Sequence, residues 1–207
     1  MKIEGEHVFN GPRQEVWQMF YDPAILSSAV PGMEKLEMAA DGGYVGIMNV
    51  RVGPVSGKFD VKLSLSDINE PESLTLTVDA KGAPGFVKGV GKVHFIETQE
   101  GTTIQQYDGD VNIGGALASV GQRMIDSVAK SIIRTAFETL DKALEARLEA
   151  KKTGKEVNFT PPTTNEFAAD VAKEVVGGFT KVPEVRLVLY ILPVVAVILI
   201  LAIILSK

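Results

Sequence analysis

Two spacings organise this chain. Between Tyr44 and Ile113 apolar side chains return at every second position, and between Leu117 and Leu148 they return at every third, fourth or fifth. The first spacing is that of half-buried β-strands, and the second that of one face of an α-helix. Tyr44, Gly46, Met48, Val50 and Val52 share a face. After Gly53-Pro54, Val55, Gly57, Phe59, Val61, Leu63 and Leu65 share another, with Ser56, Lys58, Asp60, Lys62, Ser64 and Ser66 opposite. Glu70-Pro71-Glu72 and Gly82-Ala83-Pro84-Gly85 are turns. Beyond them Leu74, Leu76, Val78 and Ala80 face one way, then Val87, Gly89, Gly91, Val93 and Phe95, then Tyr107, Gly109, Val111 and Ile113.

The helical spacing predicts one long amphipathic helix from Gly115 to Ala150. Its apolar stripe is Leu117, Val120, Met124, Val128, Ile132, Phe137, Leu140, Leu144 and Leu148. Gln122, Arg123, Asp126, Lys130, Arg134, Glu138, Asp141, Lys142 and Glu145 lie between, with opposite charges at helical spacing in Asp126/Lys130 and Arg134/Glu138. The Gly114-Gly115 pair is read as the break before the helix, and Lys151 to Gly154 as its end.

Ahead of the sheet, Lys2 to Phe9 alternate as a strand with Ile3, Gly5, His7 and Phe9 on one face. Pro12 starts a short helix whose stripe is Val16, Trp17 and Phe20, and a second short helix covers Ala24 to Ala29. Val30-Pro31-Gly32-Met33 turns the chain back. Six or seven antiparallel strands with one wet face, two short helices and one long helix predict an α+β domain, a curved sheet wrapped around the long helix. Inward glycines at 46, 57, 89, 91 and 109 bend strands and leave volume where side chains would stand. Either that volume is an apolar cavity, or the glycines only allow curvature and helix side chains fill the gap.

The pattern changes after the helix. Residues 151–186 contain Gly154, Pro161 and Pro162 among threonines and read as a linker, in which the Thr163/Glu166 spacing predicts a short helix over 167–176. Leu187 to Leu205 is nineteen residues without a charge, fifteen of them Leu, Ile or Val. As a helix it spans ~28 Å, the hydrocarbon thickness of a bilayer. Lys181 and Arg186 precede it and only Ser206 and Lys207 follow, so the expectation is a single-pass tail anchor with the N-terminal domain in the cytoplasm. A buried hairpin or a dimerising helix is the competing reading.

Composition narrows the chemistry. There is no cysteine, hence no disulfide, thiolate metal site or cysteine nucleophile, and the two histidines, His7 and His94, lie far apart in strands without ligand spacing. Met1 to Gly5 alternate charge with apolar residues, so no secretory signal is expected. Residues 1–150 hold 14 Lys and Arg against 21 Asp and Glu, a net of −7, which argues against nucleic acid as a partner. No Gly-x-Ser-x-Gly elbow is present, and the glycines of Gly85 to Lys92 do not fit a phosphate loop. Asp108 and Asp110 alternate outward. Tyr107, if inward, offers a hydroxyl to a ligand carbonyl, or else reaches the rim or a backbone group.

Several separated motifs fall in one order: Val16-Trp17, Asp22-Pro23, Pro31-Gly32, Val52-Gly53-Pro54-Val55, Gly85-Phe86-Val87-Lys88-Gly89, Gly114-Gly115 and Ile125-Asp126. In this the chain resembles the carbon monoxide dehydrogenase G-subunit family, a branch of the START-like (SRPBCC) helix-grip superfamily, over about residues 1 to 150. His7 and Gln105 depart from an apolar strand pattern. The resemblance implies a hydrophobic-ligand-binding domain, non-catalytic and needing no cofactor, that works beside a molybdenum hydroxylase of the carbon monoxide dehydrogenase type at the cytoplasmic membrane. Its implied cargo is a lipophilic molecule, a lipid or a respiratory quinone such as menaquinone or ubiquinone. A recruitment adaptor without ligand and a START-like enzyme acting on a hydrophobic substrate are the alternatives. The side chains expected to wall the cavity are Phe20, Leu26 and Met33 from the early segments, and Met48, Val50, Phe59, Val61 and Leu63 from the first long hairpin. Leu76, Val78, Phe86, Val93, Phe95, Tyr107 and Val111 follow from the later strands, and Leu117, Val120, Met124 and Val128 from the helix.

Overall fold

The computed structural model describes residues 1–154. The linker helix expected over 167–176 and the apolar span 187–205 lie outside the described residues. Strand β1 (Lys2–Phe9) leads into helices α1 (Arg13–Met19) and α2 (Pro23–Ala29). Six further strands follow: β2 (Met33–Met38), β3 (Tyr44–Val52), β4 (Val55–Asn69), β5 (Ser73–Gly82), β6 (Gly85–Glu97) and β7 (Thr103–Gly115). A 3-10 turn, Ala116–Val120, precedes helix α3 (Gln122–Thr153). All seven strands form one antiparallel sheet in the order β1-β7-β6-β5-β4-β3-β2, with α3 across its concave face.

Short-range chemistry sets the early helices. Asp22 caps α2, its carboxylate accepting from the Ala24 and Ile25 amides, while Pro23 supplies the first helical position. Gly32, at φ +82°, makes the turn into β2.

Two boundaries differ from the expectation. Gly114 and Gly115 do not break β7 but end it, paired with Phe86 and Gly85. The long helix begins at Gln122, because Gly115 (φ +76°) and Gly121 (φ +92°) both take the left-handed region and leave Ala116–Val120 as a separate turn. Leu117 and Val120 keep helical spacing without belonging to α3. At its far end α3 runs to Thr153, three residues past Ala150, with Lys151 and Lys152 in the last turn and Gly154 in αL as its stop.

The core has two parts. At one end of the sheet Trp17 and Val16 of α1 pack with Phe9, Phe95, Leu140 and Leu144. Trp17 meets Phe95 edge-on at 5.5 Å between ring centroids. At the other end Val52, Phe59, Val61, Ala80, Leu117 and Val128 form a second apolar group.

The two strand residues that break the apolar pattern belong to the filled end. His7 stacks on Phe137 at 4.3 Å, and its Nε2 lies 3.0 and 3.1 Å from the two carboxylate oxygens of Asp141, which ties β1 to α3. Gln105 is buried beside it in the register, opposite His7 and Phe95. Among the described residues no group of three or more His, Asp or Glu side chains is placed to hold a metal ion.

Helix α1 is clamped to α3 by charge. Arg147 Nε donates to Glu15 at 3.0 Å, Lys151 Nζ to its other oxygen at 2.5 Å, and Arg147 also donates to Gln18. Burial pushes the Glu15 carboxyl up, but the hydrogen bonds and charges of Lys151 and Arg147 together outweigh it and hold the group below the usual carboxylate range. A depressed folded-state value stabilises the fold above the ordinary glutamate range, and that contribution disappears as pH falls through the folded value. Glu15→Gln is therefore expected to cost about 1–2 kcal/mol at pH 7 and progressively less toward pH 3, as protonation removes the carboxylate. Urea titrations of both proteins at the two pH values measure this; an equal difference at both would show that charge plays no part.

Candidate functional site

The lower half of the sheet bends where glycines remove side chains from its concave face. Gly91 and Gly109 are register partners, and a Cβ on Gly109 would lie 2.8 Å from Gly91 Cα. Gly89 is the next inward residue on β6, opposite Val111 and Val78. At these three positions no side chain projects from the concave face into the space under α3.

What remains is a hollow of about 390 Å³ between sheet and helix. Every residue of its wall is Met, Ile, Val, Leu, Phe, Ala or Gly. Strands β3 to β5 supply Met48, Val50, Phe59, Val61, Leu63, Leu76 and Val78, as expected from the alternation, and Met33, Val111, Leu117 and Val128 join them from β2, β7, the 3-10 turn and α3. Of this wall Phe59, Val61, Leu117 and Val128 are buried, while Ile3 and Val30 are half-buried.

Eight expected residues lie elsewhere, for identifiable reasons. Phe95 and Val93 point to the concave face, but at the Trp17 end, and Phe20 is edge-on to Phe95 at 5.2 Å. Tyr107 is inward too. Its ring packs against Phe137 at 5.8 Å and covers Gly5, where a Cβ would stand 2.4 Å from the phenol oxygen. Burial pushes that phenol above the ordinary tyrosine range. Phe86 is on the convex face, because its register partners are Lys81 and Gly114 and its neighbour Val87 takes the inward position. Met124 covers the β3–β4 turn at Gly53, Val120 packs against the outside of the second apolar group, and Leu26 is half-buried on α2 without reaching the hollow.

The wall also contains residues absent from the expectation. Ile125, Ala129 and Ile133 form a second stripe at i, i+4, i+8, one step round α3 from Val128 and Ile132. The signal was present in the sequence: the apolar face of this helix is wider than a single stripe. Met1, Ile3, Val30, Val52, Ala80, Val87, Gly89 and Ile113 complete the wall.

No curated protein matches the chain. Among solved structures it is similar to a conserved protein from Geobacillus kaustophilus, with 30% identity over 70% of this chain and 95% of that one and a TM-score of 0.67. It is also similar to a START superfamily protein from Mycobacterium smegmatis, with 14% identity over 70% and 97% and a TM-score of 0.52. An uncharacterized protein from Rhizobium leguminosarum, 13% identical over 70% and 94%, gives a TM-score of 0.53. The two lower identities speak for the fold alone, a START-like curved sheet closed by a C-terminal helix. The model of the carbon monoxide dehydrogenase G-subunit (CoxG) family matches residues 5–145, from the first strand through most of α3, and the chain belongs to that family.

Proposed function

We propose that the domain is a non-catalytic binding protein that takes up a lipophilic guest, a respiratory quinone (menaquinone or ubiquinone), and serves a molybdenum hydroxylase of the carbon monoxide dehydrogenase type. Membership of the CoxG family supports the partner. The observation that carries the guest is the hollow itself: about 390 Å³, in the size range of small-molecule sites and without one polar side chain in its wall. An unfilled apolar space in a folded core costs stability, so its persistence points to occupancy. A greasy guest exchanges lipid for protein at small net cost, which is what a carrier requires.

The remaining parts of the reading rest on sequence. The uncharged stretch 187–205 is proposed to anchor the chain in the cytoplasmic membrane with residues 1–154 on the cytoplasmic side, where the guest's reservoir is a bilayer away. No cofactor is needed for binding of this kind.

The test is chemical. Full-length protein purified from membranes is extracted with organic solvent and the extract analysed by mass spectrometry, beside a variant whose hollow is blocked. Quinone recovered near one per chain from the native protein and absent from the variant is the expected result. Equal traces in both would leave only a recruitment role.

A further inference from the structure

The sheet is open, and its two edges are unlike. Strand β2 has six residues and a register shift between Met33 and Lys35, and an irregularity of that kind spoils an edge as a template for another strand. Strand β1 pairs with β7 over all eight of its residues, Lys2 to Phe9, with no shift and no proline. Among the described residues nothing pairs with its other side.

The ladder fixes which groups this edge offers. Met1 exchanges both backbone hydrogen bonds with Val111, its amino group donating to the Val111 carbonyl and its carbonyl accepting from the Val111 amide. In an antiparallel pair such exchanges fall on alternate residues. Ile3, Gly5, His7 and Phe9 therefore bond to β7, and the N–H and C=O of Lys2, Glu4, Glu6 and Val8 turn away from it. These four residues are exposed, and their side chains stand on the convex face, opposite to Ile3 in the wall of the hollow. The contact of His7 with Asp141 holds the strand against α3 from the concave side, so the edge belongs to a fixed strand.

Side chains define what the edge accepts. Val8, 50% exposed, ends a cross-strand row with Ile104 and Ile96, the last 46% exposed. Glu4 is paired with Lys2 at 2.6 Å, whereas the contact of Glu6 is the neutral amide of Gln106 at 3.4 Å. A second copy does not suit this edge. The two-fold register centred on Gly5 opposes Glu4 to Glu6 twice, those centred on Glu4 or Glu6 oppose a glutamate to itself, and those centred on Ile3 or His7 pair little more than half the strand.

We infer that the outer edge of β1 is a docking strand for an extended segment of a partner protein, added antiparallel to the sheet, with a Lys or Arg opposite Glu6 and a branched aliphatic residue opposite Val8. The main chain supplies affinity and these two positions supply selection. The segment lies beside the sheet and not beneath α3, so this docking does not depend on what the hollow holds.

Fluorescence anisotropy of the full-length protein in nonionic detergent tests this with the labelled, end-capped peptide Ile-Thr-Lys-Val-Arg-Thr-Glu, which in the antiparallel register sets its Ile opposite Val8 and its Lys opposite Glu6. Methyl groups on the Lys and Arg amides, which face β1, are expected to weaken binding at least about tenfold. Methyl groups on the Val and second Thr amides, which face away, should change it far less. Glu6→Lys should weaken the peptide at least about threefold, and a peptide with Glu in place of its Lys should regain the loss. Equal effects of the two methylation patterns would show a contact of charges without strand pairing and overturn the inference. An affinity unmoved by Glu6→Lys, or no binding of the unmodified peptide, would overturn it as well.

Discussion

Trp17→Ala is expected to destabilise the folded domain by about 3–5 kcal/mol. Trp17 is 1% exposed, and it is enclosed by Phe95, Tyr21, Val16 and the Leu140/Leu144 ridge of α3. No rotamer change in its neighbours can fill the space of an indole, so both the lost burial and the residual cavity count. For a domain of this size the melting temperature should fall by roughly 6–20 °C. Calorimetry or thermal circular dichroism reads it directly. A loss below 1 kcal/mol would mean that the Trp17 end is not close-packed. The substitution should leave the hollow's selectivity intact, because Leu76 is the one side chain common to the surround of the Trp17 group and the wall of the hollow.

Ala80→Phe, at the opposite end, is expected to leave stability unchanged or raise it by about 1–2 kcal/mol while weakening guest binding at least a hundredfold. Ala80 is central in β5, 7% exposed, between Val61 and Val87 in the register, and its methyl faces the hollow. In a filled core the same change would overpack and cost about 1–3 kcal/mol. The sign of the stability change therefore tells a hollow from a core before any ligand is known. Chemical denaturation of the guest-free protein measures that sign, and titration with a prenyl probe measures the binding.

Much of the site was legible from alternation alone. The period of two assigned Met48, Val50, Phe59, Val61, Leu63, Leu76, Val78 and Val111 to the concave face, and each is in the wall. The same rule misplaced Val93, Phe95 and Tyr107, because alternation fixes the face of a residue and not which end of the strand meets the helix and which meets the hollow. Phe86 is a different failure: hydrophobicity suggested a wall residue where parity with Val87 required the outer face. The helix start was missed because Leu117 and Val120 keep helical spacing across Gly121, and periodicity does not register a backbone break.

By itself the sequence determined the antiparallel strands, their inward faces, the two short helices, the long amphipathic helix and the αL stop at Gly154. All of these follow from local rules: a period of 2 or 3.6, proline and glycine at turns, and side-chain caps. Only the tertiary structure decided that the core is filled at the Trp17 end and hollow at the Ala80 end. Both ends offer the same alternating apolar pattern, and the volume beneath the helix depends on how far the sheet stands from it, which no local pattern encodes. Gly91 opposite Gly109 and Trp17 against Phe95 are contacts that no local window of sequence contains.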